Sequence, residues 1–168
     1  MKKGIKKAIC AAAAALLMIV FSVAVTGCGE KEPEGPEYEP PKNCDVVLEE
    51  KGPGMTPVSA FIGVCDSYDK IREALMSHGL KSWDNDKVRE YADEHAEDKS
   101  FVVCFYQEGS DGGQKRLREI EVNDGKLTMY IWCERRDYAL DVTINHIFIA
   151  GVDKSFVANV TECEYVFV

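Results

Sequence analysis

The spacings that make chemistry readable in a sequence are missing here. Seven cysteines are present, but no two form a CxxC pair and none follows zinc-finger spacing. There is no G-x-S-x-G, so the strained strand-to-helix turn of a serine hydrolase is not encoded. The glycine-rich stretch EGSDGG at 108–113 lacks both the lysine and the following helix of a phosphate loop. With so few acids it also falls short of the ligand count of a calcium loop. No internal repeat is present. Positive charge is scarce: 20 Lys and Arg stand against 29 Asp and Glu in 168 residues, a net charge of −9. Such a surface repels phosphate backbones, which argues against nucleic-acid binding.

What the sequence does contain begins at the N-terminus. Lys2, Lys3, Lys6 and Lys7 make a positive start, with no acid before position 28. An apolar run over 8–25 follows, broken only by Ser22. At about 18 positions it approaches the length of a membrane span. A basic start, an apolar middle and small residues at the end fit a cleaved secretory signal instead. Val25-Thr26-Gly27-Cys28 resembles the lipobox of bacterial lipoproteins, with valine in a place where leucine is commoner. The resemblance implies cleavage after Gly27 and a diacylglyceryl thioether on Cys28, which becomes the new N-terminus. Taking those four lysines from 20 leaves 16 basic residues against 29 acidic ones, net −13.

Three segments follow from this reading: a signal peptide at 1–27, a lipidated Cys28 with a tether at 28–43, and one domain at 44–168. Residues 29–43 (GEKEPEGPEYEPPKN) hold five glutamates and four prolines and almost nothing apolar. Such a composition cannot bury enough surface to offset its ordering entropy, so an extended acidic tether is expected. In a polyproline-like conformation it reaches on the order of 45 Å. Its glutamates disfavour contact with anionic lipid.

In the domain, Val46, Val47 and Leu48 predict a first strand closed by a Gly52-Pro53-Gly54 turn, and 57–65 (PVSAFIGVC) predicts a second. Ser67 is a candidate N-cap. Ile71, Ala74, Leu75 and His78 repeat at helical spacing before Gly79. A second helix starts at Asp84, with Val88, Tyr91, Ala92 and His95 on one face and Trp83 as its staple. The period then changes to two. FVVCFY at 101–106 predicts a central strand buried on both faces. Strands at 116–122 and 126–133 flank Asn123-Asp124-Gly125, a strong hairpin signal. Further strands are expected at 141–150 and 163–168. Strand, helices, then strands without helices predicts an α+β fold: an antiparallel sheet of five to six strands with two helices inserted after the first strands.

These segments come in a recognisable order: YDKIREAL at 68–75, YADE at 91–94 with FVVCF at 101–105, EGS at 108–110, DGKL at 124–127, and DVTINHIFI at 141–149. The order resembles the PrcB-like family of small-lipoprotein domains, which are related to the C-terminal domain of a protease-complex protein, over most of 58–154. Ala96 and Glu97 stand where that family carries an aromatic pair, the hairpin tip at 110–113 differs, and Asn145 replaces a tryptophan. The resemblance implies an exported, non-enzymatic module of unknown detailed function, with a role in assembling a surface complex. No catalytic residue comes with it.

The residues themselves offer few alternatives. Cys10 leaves with the signal, so Cys44, Cys65, Cys104, Cys133 and Cys163 remain, an odd number at gaps of 21, 39, 29 and 30. Small buried hydrophobes are the expectation, with structural disulfides or a thiol catalyst as alternatives. His78 and His95 sit on helix faces where packing or capping is usual. His146 matches a histidine of the family's strand motif, and Asp141, five residues away, falls on the opposite face of a regular strand. Lys115, Arg116 and Arg118 with Arg135 and Arg136 form a candidate basic patch, with solvated cross-strand pairing as the simpler reading. The expected function is a membrane-anchored, extracytoplasmic binding or complex-assembly module. Its expected partners are the membrane, through Cys28, and a protein at the cell surface. No cofactor, metal or catalytic residue is expected. The alternatives are a cell-envelope enzyme using Cys and His chemistry and a small-ligand carrier.

Overall fold

The computed structural model of the chain describes residues 38–54, 58–109, 113–134 and 142–168. Cys28, the apolar run before it, Pro57, residues 110–112, Arg135, Arg136 and Asp141 lie outside the described residues. Among the described residues there are seven strands and three helices: β1 (Asp45–Pro53), β2 (Phe61–Cys65), α1 (Tyr68–Ser77), α2 (Asp86–Glu94), β3 (Lys99–Glu108), β4 (Lys115–Asn123), β5 (Lys126–Cys133), β6 (Ile144–Asp153), α3 (Lys154–Val157) and β7 (Glu162–Phe167). The expected mixed α+β class is therefore correct.

The expected single antiparallel sheet is not. The strands form two sheets, ordered β1-β6-β3-β2 and β4-β5-β7. The reason lies in β3 and β6, whose residues are buried on both faces. Phe101, Val103 and Phe105 of β3, with Ile147 and Ile149 of β6, pack against Ile71 and Leu75 of α1 and Val88 and Ala92 of α2. Val102, Cys104 and Tyr106, with Phe148, Ala150 and Val152, pack against Leu117, Ile120, Leu127, Met129 and Ile131 of the second sheet. One layer of helices cannot cover both faces of a strand, so the hairpin β4–β5 folds over the far side as a separate sheet.

Pairing is antiparallel everywhere except between β5 and β7, where Leu127 lies beside Cys163 and Ile131 beside Phe167 in parallel register. A parallel pair needs a long crossover, and this one passes through β6 in the other sheet. Two register shifts adjust the faces. One, between Val46 and Leu48, lets Val47 and Leu48 share the helix-side core while Val46 faces the other. The second, between Leu117 and Glu119, brings Leu117 and Ile120 to one face although they are three positions apart.

The Gly52-Pro53-Gly54 segment is not a turn; β1 continues through Pro53, which pairs with Ile144. Proline is tolerated there because β1 is an edge strand. Ser67 occupies the N-cap of α1, yet its hydroxyl donates to Asp66 Oδ1 at 3.2 Å and does not accept from the helix. α2 starts at Asp86, two residues after the expected Asp84, with Asn85 as its N-cap: Asn85 Oδ1 accepts from the Val88 amide at 3.2 Å. Asp84 instead accepts from the Tyr68 hydroxyl and from Arg89. β6 runs from Ile144 to Asp153, displaced from the expected 141–150. Tyr38 and Asn43, expected within the tether, already contact the domain: the Tyr38 hydroxyl donates to the Leu117 carbonyl at 3.0 Å, and the Asn43 amide donates to that of Ile120.

The β4–β5 hairpin closes as its sequence indicates. Asn123 pairs with Lys126 across a two-residue turn in which Asp124 and Gly125 have φ of +51° and +80°. At Gly125 a Cβ would also come within 3.1 Å of the Asn159 carbonyl. Gly125→Ala is therefore expected to cost about 1–2 kcal/mol in denaturant unfolding, through backbone strain at a positive φ. Gly52→Ala, where nothing lies within 4 Å of the added carbon, should be neutral or stabilise by up to about 1 kcal/mol. Equal losses at the two positions would refute this assignment of the turn.

Candidate functional site

The chemistry-bearing side chains converge at one end of the inter-sheet core. Period-two alternation carries the inner face of β3 from Val102 through Cys104 and Tyr106 to Glu108, so a carboxylate ends a buried row. His146 lies opposite Tyr106 on the neighbouring β6 and is 2% exposed. Its Nε2 is 2.7 Å from Glu108 Oε1. A carboxylate only accepts, so Nε2 carries the proton and donates. Lys115, at the start of β4, donates to the same Glu108 oxygen, with its own side chain only 7% exposed. One carboxylate thus ties β3 to β6 within the first sheet and to β4 in the second.

An aromatic stack surrounds this cluster. Tyr106 is nearly parallel to His146, with ring centres 5.0 Å apart, and to Tyr165 of β7 at 5.2 Å. Phe167 meets Tyr106 edge-on at 5.4 Å and lies 6.0 Å from the Lys115 ammonium. The Tyr106 hydroxyl is buried without a hydrogen-bond partner among the described residues. Its pKa is pushed up, first by burial and then by the Glu108 charge. Burial also holds the His146 imidazole below its ordinary 6.5; Glu108 opposes that shift, while Lys115 and Lys51 add to it.

The expected thiols do not join this cluster as nucleophiles. Cys44, Cys65, Cys104, Cys133 and Cys163 are all free. Burial raises Cys44 and Cys65 to about 11 and pushes Cys104 higher still. Cys133 pairs with Lys115 across the hairpin and is raised as well, by burial and by Glu108, against the pull of Lys115. Burial raises Cys163 too. Thiols so shifted stay protonated near neutral pH and do not attack. Among the described residues, no group of three or more His, Cys, Asp or Glu side chains could hold a metal ion.

The other sequence candidates are dispersed. His78 caps α1, with Nδ1 2.8 Å from the Ala74 carbonyl and its ring 4.7 Å from Phe61. His95 caps α2, with its ring 4.4 Å from Tyr91. Asn145 accepts from Gln107 Nε2 at 2.9 Å. Of the candidate basic patch, Lys115 turns inward to Glu108 and the Arg116 guanidinium covers the Tyr38 ring at 4.9 Å, while Arg135 and Arg136 lie outside the described residues. Sequence reasoning missed Glu108 and Lys115 as partners of His146. The signal for Glu108 was its even spacing from Cys104 and Tyr106; Lys115 left none.

A groove of about 440 Å³ opens elsewhere, between β2 and α1. Phe61, Cys65 and Asp66 line one side, and Lys70, Glu73, Ala74, Ser77 and His78 the other. The Phe61 ring lies against Gly63, so close that a Cβ there would meet its Cζ at 2.8 Å.

Two measurements test the inter-sheet cluster. His146 has a folded-state pKa below its unfolded value, so its neutral form stabilises the fold above pH 6.5 and that contribution is lost as pH falls below it. Stability should decline as pH falls below 6.5 in the wild type and stay flatter in His146→Gln. Lys115→Met should cost about 3 kcal/mol by unpairing a largely buried charge, and should raise the His146 pKa in an NMR titration. An unchanged or lower pKa would show that Lys115 does not hold the imidazole neutral. Set beside protein-family models, curated proteins and solved structures, the chain matches none.

Proposed function

We propose that this chain is an extracytoplasmic lipoprotein held to the membrane by a lipid on Cys28, with a PrcB-like, non-enzymatic binding or complex-assembly module at 44–168. The basic start, the apolar run and the small residues before Cys28 support the anchor. No helix among the described residues is long and apolar enough to cross a membrane, so in this reading attachment falls to the lipid. A diacylglyceryl group supplies two chains, whereas one chain gives only marginal binding. The acidic tether adds no attraction to anionic headgroups.

The observation that carries the module reading is the engagement of Glu108. Its carboxylate is taken by Lys115 and by His146, so the strongest cluster of ionisable groups joins strands to one another. Raised thiol pKa values weigh against the enzyme alternative, because a cysteine nucleophile must be a thiolate. The small-ligand carrier alternative is weakened by size, since a two-lobed binding protein needs roughly twice this length.

Fractionation with metabolic lipid labelling tests the anchor. The wild type should lose 27 residues, leaving 141 of 168, and should carry label in the membrane fraction. Cys28→Ser should carry no label and leave the anchored state, either as uncleaved precursor or in soluble form. A cleaved variant that stays in the membrane, or a wild type without lipid, would overturn the assignment. In-membrane cross-linking of the wild type should capture a defined assembly with another protein; its absence would overturn the module reading.

A further inference from the structure

We infer that residues 38–44 are a releasable latch that sets how far the domain reaches from the membrane. Docked on β4 they shorten the tether, and released they lengthen it without unfolding the domain. The effect on reach rests on the anchor reading above; the latch itself rests on contacts within the domain.

Tyr38 sits in a socket made by two residues paired across the β4–β5 hairpin, Arg116 and Trp132. The Arg116 guanidinium lies over its ring at 4.9 Å, and the Trp132 ring is 6.1 Å away, centre to centre. The Tyr38 hydroxyl donates to the Leu117 carbonyl at 3.0 Å, and farther along the Asn43 amide donates to the Ile120 carbonyl. These are side-chain contacts. Among the described residues, no backbone-to-backbone hydrogen bond holds 38–43, and Pro40 and Pro41 have no N–H to give. Glu39, Pro40, Lys42 and Asn43 are exposed, and Tyr38 lies in neither core. Each such contact is worth little net of water, so the docked state is favoured by a modest factor.

The strand that follows is held in another way. Cys44 packs against the inter-sheet core, and from Asp45 onward β1 pairs with β6, beginning with Asp45 beside Gly151. Such pairing opens only with the sheet, whereas Tyr38 and Asn43 can leave one after the other. Load carried by the tether arrives at Tyr38 first, so peeling runs from Tyr38 toward Cys44 and stops there. Tyr38 lies ten positions after Cys28, and Cys44 sixteen. At about 3.1 Å per residue of polyproline-like chain, release moves the limit of reach from about 31 Å to about 50 Å. A cell-surface partner beyond the docked limit therefore draws on the latch before it draws on the fold.

The test uses the full chain in detergent with limiting trypsin. The Lys42 side chain is 90% exposed, but a protease needs the residues around the cut in extended form, so cleavage after Lys42 reports the released strap. Cleavage after Lys31, ahead of the strap, is the reference. Tyr38→Ala should speed the Lys42 cut relative to the Lys31 cut by about tenfold or more, and Arg116→Gln by severalfold. The double variant should be no faster than Tyr38→Ala alone, because both changes remove one contact. Midpoints of global unfolding should stay at the wild-type value. An unchanged ratio in both single variants, additive effects, or a global midpoint in Tyr38→Ala lowered as far as by a core truncation would overturn the latch. Reach is read by neutron reflectivity of the full chain on a supported bilayer, where the mean height of the domain should rise in Tyr38→Ala. An unchanged height with a faster cut overturns the control of reach alone. A wild type carrying no lipid overturns the anchor reading and the control of reach together, and the cleavage ratio still decides the latch.

Discussion

Strand β3 has to satisfy two cores at once. Its odd residues, Phe101, Val103 and Phe105, meet the helices, and its even ones, Val102, Cys104 and Tyr106, meet the second sheet. Because side chains alternate strictly, a shift of one residue would exchange the two sets and misfit both. β6 repeats the arrangement beside it, with Ile147 and Ile149 on one face and Phe148, Ala150 and Val152 on the other. Register in this pair is therefore specified from both sides. The bulges at β1 and β4 sit on strands at the sheet edges, where alternation can be broken without disturbing the centre.

The same alternation explains why ionisable groups gather at one end. Beyond Tyr106 the inward row of β3 reaches Glu108, and an inward carboxylate requires partners. Lys115 and His146 supply them from two different strands and both sheets. The aromatic stack of Tyr106, His146 and Tyr165 surrounds the cluster with apolar area, and burial there lowers the imidazole pKa and raises those of Tyr106 and Tyr165. The polar end of the core reads as structural chemistry. At the periphery, side chains of the segment leading into β1 and of β1 itself take up the outer edge of β4.

What was legible in the sequence was local. The 3.6-residue spacing of Ile71 and Leu75, the unbroken apolar run of β3 and the Asp124-Gly125 turn each act within a few residues, and each produced its element. What was not legible depended on partners far along the chain. The carboxylate under His146 is 38 residues away, and nothing in either segment names the other. The second sheet was hidden for a similar reason, since β7 carries no mark that it joins β5 in parallel instead of extending the first sheet. Pro53 misled because proline signals a turn in the middle of a sheet yet is harmless on an edge. The start of α2 was misplaced by two residues because Asp84, which suits a helix start, is engaged by Tyr68 and leaves Asn85 to cap.

The order in which strands enter the sheets has a consequence for timing. β6 stands between β1 and β3, although it follows both by many residues, and β7 completes the second sheet from later still. A polypeptide delivered N-terminus first, whether by a ribosome or through a pore, presents β1 and β3 with no strand to join them. It presents β4 and β5 as a hairpin with one side of its apolar face uncovered. Neither sheet can close until residue 153 has emerged, and the aromatic stack waits for residue 165. Loop closure over such separations is slow compared with local helix formation. The domain is thus late to fold because of its connectivity: its first strands wait, unpaired, for strands made last.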